Sequence, residues 1–141
     1  MSAVVYNIAK ELGFRKSIDF LNESIRCILM GNSYVPDIDG HQYYSDIAAH
    51  ECTGPGYTAF GKPLQNKTVT RDTANDWVVF DASDPLWTGV TVTARYAILL
   101  KDSGSYATSP LICCLDLGGD KVMTAGNFLL RFDPTGILRQ V

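Results

Sequence analysis

The sequence is poor in the residues that metal and redox chemistry use. It has two histidines, His41 and His50, and four cysteines, Cys27, Cys52, Cys113 and Cys114, with no C-x-x-C spacing. That excludes a disulfide framework and a zinc knuckle. Neighbours in a strand point to opposite faces, so Cys113 and Cys114 do not pair with each other, and Cys27 and one of that pair read as small buried hydrophobes. Charge is sparse as well: 12 basic and 15 acidic side chains make up 19% of 141 residues and leave a net charge of −3. The longest basic run is Arg15-Lys16, so the electrostatic footprint of nucleic-acid binding is missing and no nucleic-acid partner is expected. No apolar run approaches the roughly 20 residues that cross a hydrocarbon core, so no membrane partner is expected either. The N-terminal MSAVVYNIAKELGFRK has no basic segment ahead of an apolar stretch, which does not read as a secretory signal; synthesis in a reducing cytoplasm is expected.

Hydrophobic residues make up 46% of the chain, enough for one domain over 1–141 with a real core. Residues 1–16 read as an N-terminal helical arm: Ser2 as N-cap, Val5, Ile8, Ala9 and Leu12 at helical spacing, and Gly13 as a stop. Ser24–Met30 reads as an internal strand. Residues 31–61 are a long irregular excursion punctuated by Gly31, Pro36, Gly40, Gly54, Pro55, Gly56 and Gly61, with a helical turn expected over Gln42–Ala49. Its length makes it the first place to look for a contact surface. Beyond it, KTVTRD and WVVFD read as a hairpin around Thr73-Ala74-Asn75-Asp76, and DASDPLWTG as a turn-rich link. The strand Val90–Lys101 alternates, with Val90, Val92, Ala94, Tyr96, Ile98 and Leu100 on one face. Leu111–Leu117 is the next strand, with Gly118-Gly119-Asp120 as a turn. Asn127–Phe132 follows with Phe128, Leu130 and Phe132 inward, and Ile137–Val141 forms a last short strand. The expectation is an all-β fold: an antiparallel β-sandwich or partly closed barrel of six to seven strands with a short N-terminal helix.

No catalytic constellation stands out. His50-Glu51-Cys52 gathers three reactive types, but adjacent residues do not converge on one atom, and polar loop residues explain the run. Asp37-x-Asp39-Gly40 opens like a calcium loop but lacks the downstream bidentate glutamate; turn chemistry explains it. Zinc held by His41, His50 and Cys52 would draw every ligand from one irregular segment, which is a weak site. No catalytic residue, metal or cofactor is therefore expected. Tyr43, Tyr44 and Tyr57 in the excursion, and Trp87 in the link, are bulky aromatics outside the strands. They are the candidate protein–protein interface, with capping of the sheet ends as the alternative.

In order along nearly the whole chain run SIDFLNESIRCILMGNSYVPDIDGHQYYSDI, GYTAFGKPL, NDWVVFDASDPLW, VTARYAILLKDSG, SPLICCLDLGG and FLLRFDPTGIL. In this series the sequence resembles a group of small structural proteins of tailed bacteriophages. It departs from the group at Phe60, where a second glycine is expected, and at Cys113-Cys114, where β-branched residues are usual. The resemblance implies a non-enzymatic virion component, most specifically a capsid decoration (cement) protein on the outer shell, partnered with the major capsid protein and with itself as a homotrimer. A tail, baseplate or connector subunit is one alternative. A glycan-binding module that uses Trp87 and the loop tyrosines as a stacking platform is another.

Overall fold

A computed structural model describes residues 2–140. Among the described residues eight strands, where six to seven are expected from the sequence, form two antiparallel sheets with short helices between them. The larger sheet has five strands: β1 (Ser2–Val5), β2 (Ile25–Met30), β3 (Lys62–Pro63), β6 (Leu86–Lys101) and β7 (Leu111–Leu129), ordered β1-β7-β6-β2-β3. The smaller has three, β4 (Thr68–Asp72), β5 (Trp77–Asp81) and β8 (Leu138–Gln140), ordered β4-β5-β8. The fold is all-β with a short N-terminal helix, as the alternation and turn spacing predict. Val141, the last residue of the final predicted strand, lies outside the described residues.

The strand ladder sorts the core. Cys27 pairs with Leu99 and Leu99 with Cys113; one step along, Ile28 pairs with Ile98 and Ile98 with Cys114. Because successive side chains alternate, the first trio joins a cluster with Leu29, Ala97, Leu115, Trp87 and Phe128. The second joins Met30, Leu100, Leu111, Tyr34, Tyr44 and Ile47 on the opposite face. All four cysteines are buried free thiols. Val69, Phe80 and Leu138 of the smaller sheet close over the first cluster, with Phe80 edge-on to Phe20 at 5.6 Å.

Several expectations are corrected. Residues 2–5 are not helical: Val4 and Val5, β-branched and so suited to a pleated edge, pair with Cys114 and Cys113 of β7. Helix α1 (Asn7–Phe14) starts after buried Tyr6, and Gly13 lies inside it. The helix stops instead at Lys16, which adopts φ 59° while its N–H bonds to Gly13 O and that of Ser17 to Leu12 O. This is a Schellman closure without glycine. Leu86 and Trp87 belong to β6 and not to a link.

The one-face stripe along β6 also breaks. Register shifts near Arg95 place Val90, Val92 and Ala94 in one cluster with Ala97 and Leu99, while Ile98 and Leu100 lie in the other. Across from this shift, Leu117 to Asp120 oppose the single residue Arg95. Gly118-Gly119-Asp120 is therefore a wide bulge within one long strand, with Gly118 at φ 85°, and does not reverse the chain. A bulge inserts residues and resets alternation without ending the pairing, which is why the local glycines resemble a turn. Phe128, Leu130 and Phe132 are buried as expected.

Phe60 has φ 73°, a backbone region that glycine enters freely and other residues enter at a cost of roughly 1–2 kcal/mol. Its ring repays this by packing edge-on to Tyr44 at 4.8 Å and lying beneath the Arg26 guanidinium at 4.9 Å. Thermal unfolding is expected to rank Phe60→Gly above Phe60→Ala by about 1 kcal/mol, the reverse of the usual order. Both should fall below wild type, because removing a buried phenylalanine ring costs roughly 3–5 kcal/mol.

Candidate functional site: a buried carboxylate at the sheet edge

The excursion 31–61 returns to the sheet along the outer edge of β2. Met30 bridges Glu51, and Cys52 N–H donates to Leu29 O at 2.9 Å. Further along, Cys27 and Arg26 pair with Lys62 and Pro63 of β3. Between these two stretches the Leu29 N–H has no strand partner, and the Tyr57 hydroxyl accepts it at 2.9 Å.

Glu51, only 9% exposed, gathers this corner. Tyr57 donates its hydroxyl to Oε2 at 2.6 Å, Tyr44 donates its hydroxyl to Oε1, and the Phe60 N–H reaches Oε2 at 3.0 Å. Tyr44 belongs to the cluster on one face of the sheet, and Tyr57 packs against the cluster on the other. One carboxylate thus ties both faces around the β2 edge. Arg26 completes the knot: its Nε donates to Phe60 O at 2.8 Å and its Nη2 to Gly61 O at 2.9 Å. Burial raises the Glu51 carboxyl above its ordinary value, against the opposing pull of its hydrogen bonds and of the Arg26 charge. Burial, reinforced by the facing carboxylate, likewise raises Tyr44 and Tyr57. With donors on both oxygens, Glu51 is a structural hub and has little room to accept a substrate proton.

The predicted helical turn is present as α2 (Tyr44–Ile47) followed by a 3-10 turn at Ala48–His50. Asp46 starts it by accepting the N–H groups of Gln42 and Tyr43 at 3.0 and 2.9 Å. The four candidate interface aromatics divide on burial. Trp87 is 5% and Tyr44 2% exposed, so their rings serve this chain's own core. Tyr57 is half-buried with its hydroxyl inward, and Tyr43 is half-buried beside α2. Trp87 lies under Lys62, whose Nζ is 5.5 Å from the ring centroid, and packs edge-on to Phe128 at 6.1 Å. Tyr44 and Trp87 thus pack into this chain's own core, and of the stacking platform expected for glycans only Tyr43 and Tyr57 keep part of their surface in solvent.

Asp37 accepts the N–H groups of Asp39 and Gly40 at 3.2 and 2.9 Å, an Asx turn in place of a calcium loop. His41 and His50 serve separate partners. His41 Nδ1 lies 3.0 Å from the Tyr34 hydroxyl, which is 2.5 Å from the Tyr6 hydroxyl; His50 Nδ1 lies 3.0 Å from Ser33 Oγ. Cys52 Sγ donates to Thr93 O at 3.3 Å, and burial pushes this thiol up to about 11. Among the described residues no group of three or more His, Cys, Asp or Glu side chains is placed to hold an ion. Ser33 and His50 meet as a nucleophile and base would, yet both are exposed and no carboxylate bonds the second ring nitrogen among the described residues.

Glu51 is the residue that sequence reasoning passed over. Its alternation with Cys52 and the nearby tyrosines gives no periodic signal, because its partners lie in an irregular segment. No protein-family model, curated protein or solved structure matches the chain.

A native carboxyl raised above its unfolded value favours folding when protonated, and this contribution is lost as pH rises through the native value. Glu51→Gln removes the titration. The melting temperature of wild type relative to Glu51→Gln is therefore expected to fall as pH rises above about 4.3, the ordinary glutamate value, and to level off beyond the raised native value. A constant difference across that range would show that Glu51 is not the titrating group.

Proposed function

We propose that this chain is a non-enzymatic virion protein of a tailed bacteriophage, a decoration (cement) protein that binds the outer surface of the mature capsid as a homotrimer and stabilises it. The observation that carries this reading is the ordered series of segments across nearly the whole chain that resembles small phage structural proteins. Those segments flank Glu51 and contain its partners at the sheet edge: Arg26 and Tyr44 lie in the first, Tyr57 and Phe60 in the second. A rigid excursion suits the role, since a surface that is ordered before binding loses little entropy on contact.

The mechanism is linkage. A protein that binds the mature lattice and not its precursor stabilises the mature state, and about 1–3 kcal/mol per copy, repeated over many copies, resists internal pressure. The contact we assign to the shell is α1, which has no buried residue and presents Phe14 at 87% exposure. A single exposed phenylalanine is ordinary on a monomer surface, and phenylalanine is among the aromatics enriched in interfaces.

Quantitative mass spectrometry of purified particles should give a fixed ratio to the major capsid protein, with copies in number comparable to it. A few copies per particle would place the chain in the tail or connector, and absence from the particle would remove the virion reading. Phe14→Asp should leave the melting temperature of the free protein within the range of surface substitutions, about 0.5 kcal/mol, while abolishing binding to mature shells.

A further inference from the structure

A cleft of about 410 Å³ opens between the excursion and the β6–β7 ribbon. Its walls are Gly31 to Ser33 and Ala49 to Thr53 on one side, and Thr91 to Thr93 with Val122 to Thr124 on the other. The size falls within the range of small-molecule sites.

The cleft is braced on every side. Gly31 N–H donates to His50 O at 3.0 Å, and Asn32 Nδ2 to Asp120 at 3.0 Å. Ser33 meets His50, Cys52 Sγ bonds to Thr93 O, and Ala125 N–H donates to Thr91 Oγ1 at 3.0 Å. These bonds fix the walls and leave a defined set of groups for a ligand. The exposed hydroxyls of Thr53, Thr93 and Thr124 make no side-chain hydrogen bond among the described residues. Among the described residues the second ring nitrogen of His50 and the carbonyl oxygen of Asn32 have no hydrogen-bond partner. Exposed Val122 and half-buried Met123 supply a short apolar strip beside them, with buried Val92 beneath.

Formal charge is nearly missing from this lining. No lysine, arginine or aspartate belongs to it, and the carboxylate oxygens of Glu51 are taken by Tyr44, Tyr57 and the Phe60 N–H. An anion would find no cation there, and a metal ion no free carboxylate. A purely apolar ligand would strip water from the threonine hydroxyls with nothing in return. Paired donors and acceptors beside a short apolar strip match a molecule that carries hydroxyls on one side and C–H groups on another.

We propose that this cleft binds a neutral, hydroxyl-rich ligand, a sugar residue of an uncharged glycan. The site is distinct from the buried Trp87, and it does not depend on the reading of this chain as a shell protein.

The test uses the free full-length chain. Amide chemical shifts would be followed while glucose, galactose and N-acetylglucosamine are added separately, with glucuronate and a short uncharged peptide as comparisons. The expected result is saturable shifts at Asn32, Ser33, Thr53, Thr93 and Thr124 with at least one neutral sugar. Thr53→Val and Thr124→Val change exposed positions, and each should weaken binding about tenfold, the equivalent of one hydrogen bond. Their unchanged spectra outside the cleft would show that the fold is kept. The proposal is overturned if no neutral sugar gives saturable shifts, if the shifts fall elsewhere, if both variants bind as wild type does, or if only glucuronate or the peptide occupies the cleft. Shell binding plays no part in the readout, so loss of the virion reading would leave this result standing.

Discussion

A single buried carboxylate decides how thirty residues of irregular chain are held. An excursion without regular pairing has to satisfy its backbone groups by other means or stay in water. Glu51 solves this where β2 runs out of strand partners: it takes both tyrosine hydroxyls and the Phe60 N–H, and Tyr57 passes one bond on to Leu29. Removing the carboxylate would leave several buried donors without acceptors at once, which is dearer than the loss of any one bond. Tyr44 of α2 and the backbone of Phe60 both meet at that knot.

The regular part of the fold was legible because it depends on local alternation. Ile25 to Met30, the hairpin Thr68 to Asp81 and the inward Phe128, Leu130 and Phe132 emerge as read. The errors share one cause. Gly118-Gly119-Asp120 carries turn chemistry but opposes a strand that continues past it, and only the partner's register shows that. The same bulge shifts the phase of β6, so a stripe that looks continuous in sequence faces two different clusters. At the N-terminus the helical spacing of Val5 and Ile8 is real, yet an available strand edge on β7 overrides it.

The site was less legible than the fold. Bulky aromatics in irregular segments suit an interface and a sheet cap equally well, and for Tyr44 and Trp87 burial settles the matter in favour of the core. Glu51 looked like an ordinary loop residue because its importance lies in partners that converge only in three dimensions. Phe60 was no more legible. Nothing in the strand alternation or turn signals around it foretold that its backbone adopts φ 73°.

The bulges of β7 have an effect beyond the chain itself. Past Asp116, which faces Ser2 at the start of β1, the outer side of β7 has no strand partner among the described residues, and an open edge invites another molecule's strand. The insertion at Leu117 to Asp120 and the left-handed Ala125, φ 44°, break the even spacing of donors and acceptors along that side. A foreign strand laid there would fall out of step within a few residues. Such a broken edge is a poor template for strand addition.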